Sequence, residues 1–256
     1  DSSALTEQVV LDVVSSAFDS AGQRCSALRI LCVQEDSAAT VIKMLKGAMQ
    51  QLIVGNPAIL KTDIGPVIDD EAKQTIDQHI QKMKSKGYPV HQLMFGATSQ
   101  TELDKGTFVV PTAIELPNLD DLQREVFGPV LHIITYKYGE LEQLISRINA
   151  KGYGLTMGLH TRIDETIQTV IQHAEVGNLY INRNIVGAVV GVQPFGGEGL
   201  SGTGPKAGGP LYMYRLMQHC SNKVLATPFA VKNEQTVFEG FTREVYQSLQ
   251  DRKSVV

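Results

Sequence analysis

Apolar residues recur along this chain with two alternating periods, that of an α-helix and that of a β-strand. Segments with an apolar residue at every third or fourth position predict amphipathic helices, and these lie at 5–22, 41–45, 76–83, 141–148 and 167–174. Short apolar runs rich in β-branched residues predict strands, and these lie at 28–33, 108–114, 130–136, 155–160 and 179–182. Pro111 in the second of these runs predicts an edge strand, because proline has no N–H for the ladder. The alternation predicts an α/β fold with a mostly parallel sheet flanked by helices.

The character of the sequence changes after the last of these strands. Residues 187–209 form a glycine-rich stretch that is too long for a simple connection. The spacing G-x-G-x-x-G at 197–202 matches a dinucleotide fingerprint, but the glycines and prolines that follow cannot form the helix which that fingerprint requires. We expect the stretch to bring backbone N–H groups close to a ligand instead. Further on, a strand is predicted at 224–230 and a short amphipathic helix at 238–249.

Composition argues against several classes of function. The 256 residues are 43% hydrophobic and 20% charged, with a formal net charge of −4, so no basic field is available for nucleic acid. No apolar run approaches the roughly 18 to 20 residues of a membrane span, and no signal peptide is visible. The three cysteines, Cys25, Cys32 and Cys220, are an odd and sparse set that indicates a reducing compartment. Since the chain starts at Asp1 with no methionine, we expect a segment of a longer protein.

The first candidate for chemistry is Cys25, within the sequence GQRCSALR at 22–29. It follows a glycine turn, precedes a predicted buried strand and has Arg24 as its neighbour. A nearby cation favours the thiolate, which is the form of cysteine that acts as a nucleophile. The alternative is a small buried residue without chemistry, and this description suits Cys32 in the apolar strand better. The spacing of the two cysteines fits no zinc pattern, so we predict no metal site.

The second candidate is the sequence EVFGPV at 125–130, a turn just before a predicted strand. The carboxylate of Glu125 can accept hydrogen bonds from a sugar hydroxyl, and Phe127 offers a flat apolar surface to a ring. On spacing alone the alternative is favoured, in which a solvated glutamate and a core phenylalanine flank a Gly-Pro turn.

Taken together and in order, these segments resemble the aldehyde dehydrogenase superfamily. The motifs that carry the likeness are GQRC at 22–25, TDIGPVID at 62–69, EVFGPV at 125–130, GNLYIN at 177–182 and PFGG at 194–197. The likeness covers roughly residues 1–215. It implies a catalytic domain of the aldehyde dehydrogenase type over 1–215, without the dinucleotide-binding domain, and a C-terminal strand and tail over 216–256.

The resemblance also implies a reaction and the residues that carry it. The Cys25 thiolate attacks an aldehyde, the tetrahedral adduct passes a hydride to NAD, and water releases the acid from a thioester. Glu125 and Phe127 contact the nicotinamide side of NAD. In the family the oxyanion donor is an Asn and the general base is a Glu, both N-terminal to the cysteine, and this chain has neither in a matching position. Both are expected, with the dinucleotide-binding domain, in a missing N-terminal part of the same polypeptide.

Within the superfamily the likeness is greatest to the glutamate-semialdehyde (pyrroline-5-carboxylate) dehydrogenases, and more narrowly to the dehydrogenase module of the proline utilization A proteins. The sequences RCS at 24–26 and IVGAVVGVQPFGG at 185–197 carry it. The substrate-binding residues that the resemblance implies are Ser26, Gly187, Ala188, Phe195 and Arg24. A serine hydroxyl and two backbone N–H groups can hold the substrate carboxylate without a bulky ion pair, while the arginine adds charge and the phenylalanine packs on the aliphatic part.

For the longer parent protein, the resemblance implies NAD as the cofactor of this module and FAD in a separate proline dehydrogenase domain. It implies a cytoplasmic bacterial enzyme, allows peripheral association with a membrane, and allows a homo-oligomer joined through the strand predicted at 224–230. Two other hypotheses stay open. One is a dehydrogenase for another carboxylated aldehyde, such as succinate semialdehyde, which the Gly187-Ala188 sequence disfavours. The other is a non-catalytic assembly module, against which the joint presence of Cys25, Glu125 and Phe127 argues.

Overall fold

A computed structural model describes residues 1–94, 103–189, 192–202, 206–209 and 212–213 of the chain. Its helices are α1 (Thr6–Phe18), α2 (Glu35–Met49), α3 (Asp70–Ser85), α4 (Leu141–Asn149) and α5 (Asp164–His173). Its strands are β1 (Ile30–Gln34), β2 (Val90–Gln92), β3 (Thr112–Leu116), β4 (Val130–Tyr136), β5 (Tyr153–Gly154), β6 (Thr156–Leu159), β7 (Asn178–Ile181) and β8 (Glu198–Gly199). Short 3₁₀ turns cover Asp19–Gly22 and Leu119–Asp121. The elements predicted at 224–230 and 238–249, and Cys220, lie outside the described residues.

The main sheet has the strand order β1-β4-β3-β2. Both β1 and β3 run parallel to β4, with Leu31 opposite Ile133 and Ala113 opposite Leu131, and β2 pairs antiparallel with β3. Six of the seven residues of β4 are buried, as expected for an inner strand of a parallel sheet. The apolar run 130–136 therefore forms the centre of this sheet.

The helices pack through the apolar stripes that the sequence predicts. The buried residues of these stripes are Val9, Val13, Val41, Leu45, Ile76, Ile80 and Met83. Helices α1 and α2 contact each other, and both contact β4. Burying one such side chain contributes about 1.5–3 kcal/mol, so α1 and β1 are held firmly at the two ends of the segment that carries Cys25.

A second, smaller group of elements follows β4. Strands β6 and β7 pair in parallel, helices α4 and α5 contact each other, and Ile145, Leu159 and Val170 form the core of the group. Strands β5 and β8 form a short antiparallel ladder. The order β4-α4-β6-α5-β7 is the strand–helix alternation predicted from the sequence, and the mostly parallel α/β fold is confirmed.

A cleft of about 390 Å³ lies between the two groups of elements. Strand β1 lines one side of it and β6 lines the other. Within the described part of the chain, no strand pairs with the outer edge of β1 or with that of β6. The cleft is therefore bounded by two open strand edges.

The end of the first helix differs from the prediction. The periodicity predicts a helix up to Gly22, but α1 ends at Phe18 and a 3₁₀ turn follows. In that turn Ser20 and Ala21 have φ values of 57° and 54°. Neither residue favours the left-handed region, and each such residue costs roughly 1–2 kcal/mol, so the surrounding packing must impose the turn.

Two of the strand predictions also need correction. β3 begins at Thr112, so Pro111 precedes the ladder, and β3 is an inner strand rather than an edge strand. A proline just before a strand removes no ladder hydrogen bond, which is why it is tolerated there. The buried strand predicted at 28–33 is observed as Ile30–Gln34, and only Val33 and Gln34 in it are buried, because its outer edge faces the cleft.

Candidate active site

Cys25 lies in a tight turn between α1 and β1. The N–H of Ala27 donates to the carbonyl oxygen of Arg24 (3.1 Å), and the N–H of Leu28 donates to that of Ser16 (2.8 Å), which fixes the exit of the turn. Cys25 is exposed and lines the cleft. The alternative of a buried, inert residue therefore does not hold for this cysteine, and its thiol is accessible to a small electrophile.

Cys32 has different surroundings. It lies in β1, where it is opposite Ile134 of β4. As part of an edge strand it is only half-buried overall, but burial raises the pKa of its thiol to about 12. Because the thiolate is the reactive form of cysteine, Cys32 is inert near neutral pH.

Gly22 brings the Cys25 turn against the turn that precedes β4. Its φ is 63°, and a Cβ at this position would overlap with the carbonyl oxygen of Gly128 and lie 2.8 Å from that of Ala17. Only glycine permits such an approach of two backbone segments. The GQRC and EVFGPV motifs, which are far apart in the sequence, are therefore in direct backbone contact.

The side chain of Arg29 also connects these two motifs. Its Nε lies 3.0 Å from Oε1 of Glu125, and its guanidinium carbon lies 4.5 Å from the centre of the Phe127 ring. Its other nitrogens donate to the carbonyl oxygens of Gly22 (2.5 Å) and Arg24 (3.1 Å). Burial lowers the pKa of Arg29 and the neighbouring Glu125 opposes that shift, so the guanidinium remains charged.

The sequence prediction did not include Arg29. One signal for it was present, because an arginine at the start of an apolar strand must find a partner for its charge. The partner was not predictable, since it lies in a different motif.

Glu125 and Phe127 remain accessible beside Arg29. The side chain of Glu125 is 38% exposed and Phe127 is 46% exposed, whereas Val126 between them is buried. The alternative of a core phenylalanine is therefore wrong, because Phe127 packs against a guanidinium at the surface. The contact of both residues with NAD stays a prediction, and their exposure leaves room for it.

The loop after β7 is tied to the Cys25 turn through Ser16 of α1. The Oγ of Ser16 accepts from the N–H of Ile185 (3.2 Å), while its carbonyl oxygen accepts from Leu28. Gly187 has a φ of 83°, is exposed and has open space around it, and Ala188 is half-buried. The exposed, left-handed Gly187 leaves backbone N–H groups accessible to a ligand.

Ser16 was also missed by the sequence prediction, although a serine on the apolar face of a helix was its signal.

Ser26 and Arg24 flank Cys25 in contrasting environments. Ser26 is 5% exposed, whereas Arg24 is exposed and donates from Nε to Oγ of Ser20 (2.9 Å). The cleft lining includes Cys25, Arg29 and Glu125 but neither Ser26 nor the Gly187-Ala188 pair. The structure thus brings Cys25 and Glu125 to one cleft, while their roles and the carboxylate-binding set stay predictions.

The PFGG motif is held by Asn178 of β7. Its Nδ2 donates to the carbonyl oxygen of Pro194 (2.9 Å), and its Oδ1 accepts from the N–H of Gly196 (3.2 Å). Phe195 is half-buried and exchanges two backbone hydrogen bonds with Ala207 (3.0 and 2.9 Å). Residues 192–202 and 206–209 contain no helix, which agrees with the rejection of the dinucleotide fingerprint.

A buried histidine pair lies behind the Cys25 turn. The Nε2 atoms of His79 and His132 are 2.9 Å apart, and Nδ1 of His132 lies 3.1 Å from the carbonyl oxygen of Arg29. Burial, with a smaller contribution from neighbouring positive charges, lowers the pKa of each histidine to about 4. Because both pKa values lie below the ordinary value of about 6.5, the stability due to this pair is complete above about pH 6.5 and is lost as the pH falls towards 4.

Residues 1–94, 103–189 and the shorter described segments contain no metal site and no membrane span. No three His, Cys, Asp or Glu side chains among them are arranged to hold a metal ion. None of their helices is long and apolar enough to cross a membrane.

Comparison with known proteins identifies the family. Residues 2–221 match the aldehyde dehydrogenase family. The chain belongs to this family. The bifunctional protein PutA of Salmonella typhimurium is 64% identical over 228 residues, which are 89% of this chain and 17% of that protein. A 1-pyrroline-5-carboxylate dehydrogenase of Geobacillus sp. is 37% identical over 220 residues, which are 85% of this chain and 41% of that protein. The chain thus spans less than half the length of these relatives.

Solved structures show the same likeness. A variant of proline utilization A from Bradyrhizobium japonicum is 52% identical and superposes with a TM-score of 0.77, covering 83% of this aldehyde dehydrogenase chain and 21% of its own. A variant of the 1-pyrroline-5-carboxylate dehydrogenase of Thermus thermophilus is 34% identical, with a TM-score of 0.70, and covers 81% of this chain and 39% of its own. These likenesses confirm the predicted fold and the predicted resemblance, while the roles of single site residues stay predictions.

Proposed function

We propose that this chain is the thiol-bearing catalytic segment of an NAD-dependent dehydrogenase that oxidises L-glutamate γ-semialdehyde to L-glutamate in proline catabolism. The observation that carries the proposal is the contact of the Cys25 turn with the EVFGPV motif through Gly22 and Arg29. Cys25 and Glu125 line the same cleft, and the exposed ring of Phe127 packs on the guanidinium of Arg29. The names of the similar proteins, PutA and 1-pyrroline-5-carboxylate dehydrogenase, support the choice of substrate.

Cys25 is the nucleophile of the proposed reaction. Its Sγ forms a bond to the aldehyde carbon, and the carbonyl oxygen becomes the oxyanion of a tetrahedral thiohemiacetal. Loss of a hydride from that carbon restores the carbonyl group as a thioester on Cys25. Attack by water then breaks the S–C bond and releases glutamate and the free thiol. The chemistry that bound NAD supplies is acceptance of the hydride.

Glu125 and Phe127 fit the nicotinamide riboside part of NAD. Arg29 occupies Oε1 of Glu125, and among the described residues no hydrogen bond reaches Oε2, so this oxygen can accept from a ribose hydroxyl. The exposed face of Phe127 offers an apolar surface against which a ring can pack.

The substrate carboxylate is held by the hydroxyl of Ser26 and the backbone N–H groups of Gly187 and Ala188. Because Ser26 is buried beside the nucleophile, its hydrogen bond would form in a dehydrated setting, where such bonds are strong. Arg24 adds positive charge at the exposed side of the turn, and Phe195 packs against the aliphatic part of the substrate.

The remaining machinery belongs to a longer polypeptide. We expect its N-terminal part to provide the oxyanion-donating Asn, the general-base Glu and the dinucleotide-binding domain. The open outer edges of β1 and β6, which both line the cleft, support this, because an unpaired strand edge can accept a further strand. The matched segment is 17% of PutA, which leaves ample length for these parts.

For the parent we further propose a cytoplasmic enzyme with an FAD-dependent proline dehydrogenase domain, which assembles as a homo-oligomer. The support for this step is the name "bifunctional protein" of the PutA relatives and the small share of their length that this chain covers.

The test of the proposed function is NADH formation by the full-length parent. We expect kcat/KM for glutamate semialdehyde to exceed that for succinate semialdehyde by about tenfold or more, and turnover to disappear in Cys25→Ala. The matched control is Cys32→Ala, which should retain activity. A preference for succinate semialdehyde would assign the alternative substrate, and a folded protein with no turnover on either aldehyde would favour the assembly module.

By itself, the 256-residue chain is expected to show no NAD-dependent turnover. Absence of one oxyanion donor costs about 10²–10³ in rate, and absence of the general base costs about 10²–10⁴ more. NADH absorbance with saturating glutamate semialdehyde measures this directly. Turnover at the rates of ordinary enzymes, about 1–10³ s⁻¹, would contradict the expectation.

A further inference from the structure

We infer that Arg29 is a positioning residue, whose guanidinium holds the nucleophile turn and the cofactor-contact residues in one fixed arrangement. The inference rests on the proposed function, because it gives Cys25 and Glu125 the roles stated above. Within the described part of the chain Arg29 makes no hydrogen bond to the Cys25 thiol, although the two groups interact electrostatically, and its direct partners are the groups around that thiol.

The first part of this arrangement is the backbone on the N-terminal side of Cys25. One terminal nitrogen of Arg29 donates to the carbonyl oxygen of Gly22 at 2.5 Å, and the other donates to that of Arg24 at 3.1 Å. These two carbonyl groups lie on either side of Gln23, so the guanidinium fixes the segment that leads into the nucleophile. The first nitrogen also lies 3.4 Å from the carbonyl oxygen of Gly128, which adds the EVFGPV turn to the same group.

The second part consists of Glu125 and Phe127. The Nε of Arg29 donates to Oε1 of Glu125 at 3.0 Å, and the face of the guanidinium lies 4.5 Å from the ring centre of Phe127. A planar guanidinium can bond a carboxylate in its plane while its face packs on a ring, and an ammonium group cannot do both. With its side chain only 12% exposed, Arg29 is held in place by the groups that it orients.

The consequence is that the two oxygens of the Glu125 carboxylate have different partners. Arg29 uses Oε1, which leaves Oε2 available for a hydroxyl donor, and this charge-assisted hydrogen bond fixes the orientation of the carboxylate. Loss of Arg29 would free Glu125 to rotate and would free the Phe127 ring at the same time. Arg29 should therefore affect NAD binding only through these two residues.

A double-mutant cycle on NAD affinity in the full-length parent tests this dependence. Arg29→Met and Glu125→Gln are each expected to raise the Kd for NAD, measured by calorimetry, by about tenfold. Because both changes disrupt the same contact, the double variant should also lose about tenfold rather than a hundredfold. Arg29→Lys should not restore the affinity. The matched control is Arg147→Met, a half-exposed arginine that pairs with Asp120, and it should leave the Kd unchanged.

Each outcome of the double-mutant cycle either supports or overturns the positioning role of Arg29. A wild-type Kd in Arg29→Met, or additive losses in the double variant, would overturn the positioning role. If Arg29→Met does not fold, the same cycle with Arg29→Lys applies. Calorimetry needs no turnover, so a coupled cycle in a protein that does not oxidise glutamate semialdehyde would uphold this inference while the proposed substrate fails. A wild-type parent that binds no NAD would overturn both.

Discussion

The close approach of the Cys25 turn to the EVFGPV turn can be broken by a single methyl group. Gly22 has a φ of 63°, and a Cβ there would overlap with the carbonyl oxygen of Gly128 and lie 2.8 Å from that of Ala17. Both of these oxygens belong to backbone, so neither can rotate away as the end of a flexible side chain would. Gly22→Ala should therefore force the two turns apart.

The magnitude follows from two contributions. An alanine in the left-handed region costs roughly 1–2 kcal/mol, and inserting a methyl group into a packed site typically costs about 1–3 kcal/mol more. Gly22→Ala should thus lower the free energy of unfolding by about 2–5 kcal/mol, a large share of the 5–15 kcal/mol that is typical of a domain. The same displacement should change the rate at which Cys25 is alkylated, relative to the unaltered chain.

Urea denaturation followed by circular dichroism measures this loss, and two other glycines separate its causes. Gly87 has a φ of 79° with nothing near its Cβ position, so Gly87→Ala should cost only the roughly 1–2 kcal/mol of the left-handed conformation. Gly47 lies inside α2 with open space around it, so Gly47→Ala should stabilise the chain by roughly 0.5–1 kcal/mol. If Gly22→Ala costs no more than Gly87→Ala, the two motifs are not in contact.

Three further predictions concern single groups. Iodoacetamide should alkylate Cys25 in the native protein much faster than Cys32, whose pKa is about 12, and peptide mapping that finds equal labelling would reverse the assignment. In the full-length parent, Ser26→Ala should lower kcat/KM about ten- to a hundredfold for glutamate semialdehyde, with little effect on an uncharged aldehyde of similar length; equal losses would remove the serine from the carboxylate site. The free energy of unfolding should fall between pH 7.5 and pH 5 by up to about 1.4 kcal/mol per pH unit for each buried histidine. His79→Gln should reduce this fall, whereas His173→Gln, at an exposed histidine, serves as the control; a His79→Gln profile identical to that of the unaltered chain would show that the buried pair does not cause the fall.

The sequence predicted those elements whose packing follows from periodicity alone. Ile76, Ile80 and Met83 repeat at helical spacing, and all three are buried in α3 because that spacing puts them on one face. The run 130–136 formed the central strand for an equally local reason, since it is apolar throughout. Fold class could therefore be argued without any knowledge of long-range contacts.

What the sequence could not predict depends on contacts between distant segments. Nothing local marks Ser20 and Ala21 as left-handed, because the tertiary structure imposes that conformation against their preferences. The apolar run 108–114 does not show at which residue the strand begins. The sequence alone therefore could not show that Pro111 precedes the first hydrogen bond of the ladder. Arg29 and Ser16 were missed because their partners lie in other motifs. The candidate site could be named from its motifs, but the groups that join those motifs became visible only in the fold.

A trapped intermediate would show directly whether the aldehyde is oxidised while it is bound covalently to Cys25. The full-length parent is mixed with glutamate semialdehyde and NAD, quenched in acid within one turnover, digested and mapped by mass spectrometry. We expect a glutamyl thioester on the peptide that contains Cys25, formed only when NAD is present, since without a hydride acceptor the thiohemiacetal reverts to free thiol. A thioester on another cysteine, or NADH formation with no adduct on Cys25, would contradict this expectation.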